Sequence, residues 1–368
     1  MSPGSLKFGS FRGIPISAHY SALLIAVVLG SNLFTNYGVL IGVIAMVGFF
    51  ASIIAHELGH ALVAKRHGVQ TESIELWALG GVARLDRESP NARSEGWIAA
   101  AGPLTSLTIG LVAIVSAVVA VRFAGLQVRA DTSAGNAVSV VIWLGIVNTA
   151  LALFNLLPGS PLDGGRILKA WRWGRHGDRY RATREAANAG RTLGWSIAAF
   201  GGVMVVTGYP GLMLAVTGIF IAVSARAEDQ ANTIVERLQG VRVGDLTWFG
   251  VAQAPCDTDA DTMVFQRSRL GQAGVVALSG PNGELQGLVE EDQLLAIPDA
   301  QRAQTSMSSL MTPMAQLAHA DPDEALGAVL SRLNPRRPIL TVWRDGKLLG
   351  VVPKKLLLSK IAAAQASN

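Results

Sequence analysis

Residues 54–64 read Ile-Ala-His-Glu-Leu-Gly-His-Ala-Leu-Val-Ala, with His56 and His60 four positions apart around Glu57 in an apolar run. Positions i and i+4 of a helix lie one turn apart on one face, so both imidazoles can present a ring nitrogen to a single Zn²⁺. Glu57 borders that face, where a carboxylate can hold and deprotonate a metal-bound water, the division of labour of H-E-x-x-H hydrolases. The motif also arises by chance in soluble helices, so its surroundings matter. The run from 38 to 64 is long enough to cross a ~30 Å hydrocarbon layer. Buried there, a carboxylate and two imidazoles cost on the order of several kcal/mol unless paired or metal-bound, which marks them as functional.

Outward from this segment, half of the 368 residues are hydrophobic and 15% are charged. That is too apolar for an ordinary soluble enzyme and too mixed for a purely membrane one, which predicts two parts. Further apolar stretches at 15–34, 96–121, 137–157, 192–208 and 210–225 bring the predicted membrane helices to six. The last two are short and joined by the turn Gly208-Tyr209-Pro210-Gly211. Lys7, Arg12, Lys65, Arg66 and the cluster from Arg166 to Arg184 fall on one side of the membrane. The uncharged loop Ser31 to Tyr37 and the loop Arg122 to Asn136 fall on the other. Basic residues mark the cytoplasmic side, so a multi-pass cell-membrane protein with both termini in the cytoplasm is expected. His56 and His60 then lie one or two turns from the cytoplasmic end of the second helix. No small-residue cleavage site follows the first apolar run, which is expected to be a retained span.

The formal net charge of +5 is accounted for by these anchoring residues. There is no basic stripe with interleaved aromatics, so nucleic acid is not an expected partner. Cys256 is the single cysteine, which excludes a disulfide framework and a thiolate cluster; a metal must be held by histidine and carboxylate.

Between helices two and three, residues 73–85 read as two short strands around a Gly80-Gly81 turn. Such a hairpin beside the histidines can hold an extended peptide by strand addition or serve as a plain connector. A catalytic zinc keeps three protein ligands and leaves one position for water. A third donor is available where Asn155-Leu-Leu-Pro-Gly-Ser-Pro-Leu-Asp163-Gly-Gly165 closes helix four on the same side as His60. Two prolines break the helix and the glycines permit a tight turn, so Asp163 can be aimed inward. Asp before Gly-Gly also satisfies ordinary solvated turn chemistry.

H-E-L-G-H on helix two together with N-L-L-P-G-S-P-L-D-G-G on helix four closely resembles the site-2 protease family of intramembrane metalloproteases. The chain is similar to the branch of that family with a C-terminal pair of cystathionine-beta-synthase (CBS) domains. The resemblance implies that His56, His60 and Asp163 bind one Zn²⁺ and that Glu57 is the general base. It also implies that Asn155 orients the substrate backbone or the developing oxyanion; Asn148 ranks below it, as a residue able to bond between helices. Gly102-Pro103 fits the family, whereas Ser106 stands where an asparagine is often found, which weakens a polar role for helix three. His19 is expected to cap or sit at the interface, His67 to be a solvated helix end, and His176 and His319 to be surface residues.

From about 240 the composition becomes soluble and one plan recurs. Val243-Gly-Asp-Leu246, an amphipathic helix, apolar strands and Gly287-Leu-Val289 are followed by Leu310-Met-Thr-Pro313, a helix from Asp323 to Leu333, strands near Ile339 to Trp343, and Gly350-Val-Val352. The expected architecture is thus an α-helical polytopic membrane domain over 1–230 with a small β-hairpin after helix two. A linker at 231–240 leads to a soluble α/β tandem of CBS repeats over 241–298 and 307–368. The resemblance implies sensing of an adenosyl nucleotide with Asp292 on the ribose, but Glu290 replaces the usual hydroxyl and the second repeat reads Pro353-Lys354-Lys355 there. A dimerising or substrate-gating module remains open. The implied substrate is a membrane-spanning protein. The competing class is a CBS-regulated membrane transporter or a catalytically inert relative in which His56 and His60 line an ion path; a transporter expects repeated halves with broken helices, which spans one to six do not show.

Overall fold

The computed structural model describes residues 4–77, 80–123, 133–249, 251–265, 274–333 and 339–366, and divides into two units, Met1–Asp229 and Gln230–Asn368. The first unit starts with strands β1 (Ser5–Phe11) and β2 (Ile14–His19), ahead of helices α1 (Ser21–Tyr37) and α2 (Val39–Arg66). The expected first span at 15–34 therefore begins too early. Residues 14–19 pair with β1, and residues 16–18 pair also with a later strand on their other side, so they are held as a strand. The helix starts at Ser21, whose N–H donates to His19 Nδ1 at 3.2 Å. Ser31 to Tyr37, expected as a loop, are the last turns of α1, and the chain reverses at Gly38 with φ 79°.

Strands β3 (Thr71–Trp77) and β4 (Gly80–Leu85) follow α2, in a four-stranded sheet of order β1-β2-β3-β4 with β2 parallel to β3. The expected hairpin is present, but Gly80 and Gly81 are not its turn. They pair with Trp77 and Leu76 inside β4, and the connection at 78–79 lies outside the described residues. β4 is an edge of the sheet.

Helices α3 (Ala92–Phe123), α4 (Ser133–Asn155), α5 (Asp163–His176), α6 (Arg179–Val206) and the part of α7 (Leu212–Leu238) up to Asp229 complete the unit. Among the described residues four helices are long and apolar enough to cross a membrane, α2, α3, α6 and Gly135–Asn155 of α4, and α1 adds the shorter apolar helix Leu24–Tyr37. The last two apolar stretches are not short helices: α6 has 28 residues and α7 has 27, because the charged segments beside them continue the same helices. Outward-facing residues such as Val27, Leu111, Val112 and Val203 are more than half exposed, an unfavourable surface in water and an ordinary one in lipid.

Inside the bundle the helices meet at small residues. A Cβ on Gly145 of α4 would stand 2.7 Å from Ile114 Cγ1 of α3, and one on Gly201 of α6 would stand 2.4 Å from the Ala215 nitrogen of α7. Lipid is as apolar as leucine, so helix association in the bilayer depends on such close approach.

The second unit contains β5 (Trp248–Phe249), β6 (Ala252–Pro255), α8 (Ala260–Phe265), β7 (Val275–Ser279), β8 (Leu285–Glu290), α9 (Glu291–Leu295), α10 (Asp299–Arg302) and α11 (Met307–Leu310). The plan then recurs in β9 (Thr312–Pro313), β10 (Ala318–Ala320), α12 (Leu326–Val329), β11 (Leu340–Arg344), β12 (Lys347–Val352) and α13 (Lys354–Ala366). The two sheets run β6-β7-β8-β9 and β10-β11-β12-β5, so each repeat lends one short strand to the other's sheet. Val275, Ala277 and Leu288 of one sheet share a core with Ile339 and Val351 of the other. The helix expected over 323–333 is the four-residue α12 followed by a 3₁₀ turn at Leu330–Arg332. This is the paired α/β architecture expected of a CBS tandem.

Overpacking a close contact costs about 1–3 kcal/mol. Gly145→Leu and Gly201→Leu should each lower the thermal unfolding midpoint of the purified protein in detergent, and unchanged midpoints would contradict these two helix contacts.

Candidate metal centre

α2 carries His56, Glu57 and His60, all buried. His60 Nδ1 lies 2.7 Å from the Ile98 carbonyl of α3; a carbonyl only accepts, so Nδ1 holds the proton and Nε2 of the neutral ring is a bare lone pair. His56 Nδ1 lies 2.9 Å from Ser106 Oγ, likewise on α3 and fully buried. The expectation that Ser106 weakens a polar role for helix three is thus corrected: the shorter side chain still reaches the ring, because α3 crosses α2 closely.

Asp163 is the first residue of α5, and its Oδ2 lies 3.2 Å from both His56 Nε2 and His60 Nε2. The two Nε2 atoms are themselves 3.2 Å apart. A tetrahedral zinc with ligand bonds of about 2.05 Å has ligand-to-ligand edges of about 3.3 Å. The three donors therefore have the separations of one tetrahedral face. Two imidazole lone pairs and a carboxylate so placed repel each other unless a cation lies among them. Gly102 of α3 keeps the space open, since a Cβ there would stand 2.1 Å from His60 Nε2 and 2.6 Å from His56 Nε2. The residues fit a zinc ion with a position left for solvent or substrate.

The glycines after Asp163 act otherwise than by turning the chain. Gly164 and Gly165 lie within α5, and a Cβ on either would strike the backbone of residues 156–160, at Leu157 O (2.3 Å) and Gly159 C (2.3 Å). They let the loop after α4 lie directly on the first turn of α5. From the other side, buried Glu95 of α3 pairs with Arg166 Nε at 3.2 Å and Lys169 Nζ at 3.7 Å, which ties α5 to α3. Gly81 of β4 lies over Glu57: a Cβ at Gly81 would come 2.4 Å from Glu57 Cγ. The sheet edge and the carboxylate are therefore neighbours.

Glu95 carries no spacing signal of its own, whereas Ser106 is marked by its place after Gly102-Pro103 and Gly81 by the hairpin, without the contacts that give them their roles. Asn148 is fully buried and donates to Leu144 O at 2.9 Å; Asn155 donates to Leu151 O at 3.0 Å, so each bonds its own helix. Asp292 is exposed in the first turn of α9. His19 is buried, stacked on Trp77 with ring centroids 3.9 Å apart, and caps α1. His67 bonds Ser94 Oγ at the end of α2, so that helix end is not purely solvated. His176 and His319 are exposed, and His319 bonds Thr341 Oγ1.

A histidine pair and a carboxylate converging inside a bundle of apolar helices define a membrane-embedded metalloprotease. The sequence model of Peptidase family M50 matches residues 44–128 and 116–198. Rip3 of Mycobacterium tuberculosis strain H37Rv, which bears the name of a zinc metalloprotease, is 35% identical over 348 residues, covering 91% of this chain and 86% of that one. The site-2 protease structure from Methanocaldococcus jannaschii is 30% identical, covers 61% of this chain and 95% of that one, and superposes with a TM-score of 0.43. A CBS-domain structure from Sphaerobacter thermophilus is 21% identical over 37% of this chain and 96% of that one, with a TM-score of 0.27. The chain belongs to the M50, or site-2 protease, family of membrane zinc metalloproteases.

Outer partners of metal-binding histidines typically contribute about 10–100-fold in metal affinity. Ser106→Ala should weaken zinc retention against a competing chelator by that order, and unaltered retention would show that the hydroxyl does not orient His56.

Proposed function

We propose that His56, His60 and Asp163 are the zinc ligands and Glu57 the general base of an enzyme that hydrolyses peptide bonds within or near the transmembrane segment of membrane-tethered regulatory proteins. The observation that carries this reading is the burial of Glu57 beside three donors spaced for one ion. Zinc, when bound, polarises the scissile carbonyl and lowers the pKa of water towards about 7. Glu57 takes the proton of the attacking water and delivers it to the leaving amine. A peptide bond inside a helix is shielded by its own hydrogen bonds, so the substrate must be extended before attack. The free edge of β4, which passes over Glu57 at Gly81, supports strand addition as the means of holding the extended segment.

The parallel pairing of β2 with β3 supports one face for the residues around Lys7 and Arg12 and the hairpin after Arg66, and the basic residues make that face the cytoplasmic one. The CBS unit is then cytoplasmic and regulatory, through an adenosyl nucleotide at Asp292 or through dimerisation. Asn155 remains the candidate for contacting substrate once its helix end is engaged.

Glu57→Gln should retain zinc in the purified protein and lose cleavage of a single-span substrate, because the ligands persist while the base is gone; retained activity removes Glu57 from the chemistry. Asp163→Asn should lower the zinc content, and a full complement would remove it from the ligand set. Cells carrying Glu57→Gln should accumulate the uncut substrate, which identifies it. Titration of the full chain with ATP, ADP and AMP should give binding that Asp292→Ala abolishes; no heat with any of the three would leave dimerisation or gating as the role of the tandem.

A further inference from the structure

Between the first turns of α3 and the last turns of α5 runs an open groove of about 730 Å³. Its floor is made of small residues. A Cβ on Gly96 would rest 3.4 Å from Ala170 Cβ and one on Gly174 would rest 3.6 Å from Ala92 Cβ, so the two helices run antiparallel and close together. Trp97 and Trp171 wall the groove, 54% and 55% exposed. Arg93 and Arg175 stand at one end, and Ala100 and Ile167 continue it as an apolar slot towards the other. A second hollow, of about 450 Å³, shares Arg93 and Trp97 and adds Arg66 at the end of α2.

The charge balance distinguishes these three arginines from their neighbours. Arg166 and Lys169 pair with Glu95, Arg172 with Glu185, and Arg179 with Glu88. Among the described residues Arg66, Arg93 and Arg175 pair with no carboxylate; Arg175 only faces the Trp171 ring. They line two adjoining hollows where α2 ends, α3 begins and α5 ends, next to the end of the apolar run of α2. Tryptophans at that level match the interfacial belt of membrane proteins.

We propose that the groove is a binding site for an anionic phospholipid, its phosphate held by Arg93 and Arg175 with Arg66 beside them, and an acyl chain along Gly96, Ala100 and Ile167. Basic pockets between membrane helices hold acidic headgroups in this way. A second copy of this chain would bring its own unneutralised arginines against these, which disfavours a two-fold contact here. A soluble anion has no use for the apolar slot. The occupant braces α5, the helix whose first residue is Asp163, but the site itself does not depend on the catalytic reading.

The test is native mass spectrometry of the full chain released from nanodiscs of phosphatidylcholine with or without phosphatidylglycerol. The unmodified protein should retain phosphatidylglycerol in preference to phosphatidylcholine. The double variant Arg93→Gln/Arg175→Gln should reduce that retention at least about tenfold. Gly96→Leu, which fills the floor and leaves every charge in place, should reduce retention of either lipid. Equal retention of the two lipids by the unmodified chain, retention unchanged in both variants, or a dimer that dissociates with Gly96→Leu would each overturn the proposal. The lipid comparison uses only unmodified protein, so a variant that fails to fold does not shield it.

Discussion

Two imidazole nitrogens and a carboxylate oxygen, each 3.2 Å from the others in a buried pocket, form the arrangement on which the membrane unit depends. Groups bearing lone pairs in a poorly solvated setting suit a cation among them, provided their supports keep them aimed at one point. Each is held from behind. His60 is fixed by a backbone carbonyl, His56 by a buried serine, and Asp163 by a helix clamped between a buried ion pair and the loop lying on its glycines. The helix packing of the membrane unit follows from this need, with α3 crossing α2 where Gly102 faces the imidazoles and packing along α5 next to Glu95.

The bilayer sets the terms of that packing. Without a hydrophobic force between helices, approach distance replaces buried apolar bulk as the source of cohesion, and glycine at Gly145 and Gly201 brings backbones together. The same rule works inside the site. Gly102 gives room to the two imidazoles and Gly81 lets a strand edge pass over Glu57, so the smallest residues are located where the polar side chains of the site crowd together. The sheet formed by the N-terminal strands and the hairpin after α2 brings its edge strand beside the carboxylate, the feature on which the proposed strand addition rests.

The second unit follows soluble-protein rules. Its strands are short and their inward residues fill a continuous apolar core, and the exchange of β5 and β9 makes each sheet incomplete without the other repeat. That mutual completion explains why the repeats occur as a pair.

Much of this is legible in the sequence alone. An H-E-x-x-H helix in an apolar run, a second motif around Asp163 and a recurring soluble plan follow from helical periodicity, from the cost of placing charge in hydrocarbon and from composition, all of which act locally. The reading of residues 15–34 as one span missed the hairpin of β1 and β2, because the apolar residues of β2 run on into α1, and the second partner of β2, β3, lies more than fifty residues away. Sequence could not show that Gly81 is a point of approach to Glu57 in place of a turn, that Ser106 reaches His56, or that Glu95 anchors the helix bearing Asp163. Those roles are pairwise distances between distant segments. Backbone and side-chain chemistry determines what each segment can be, while only the packed bundle determines which of them meet.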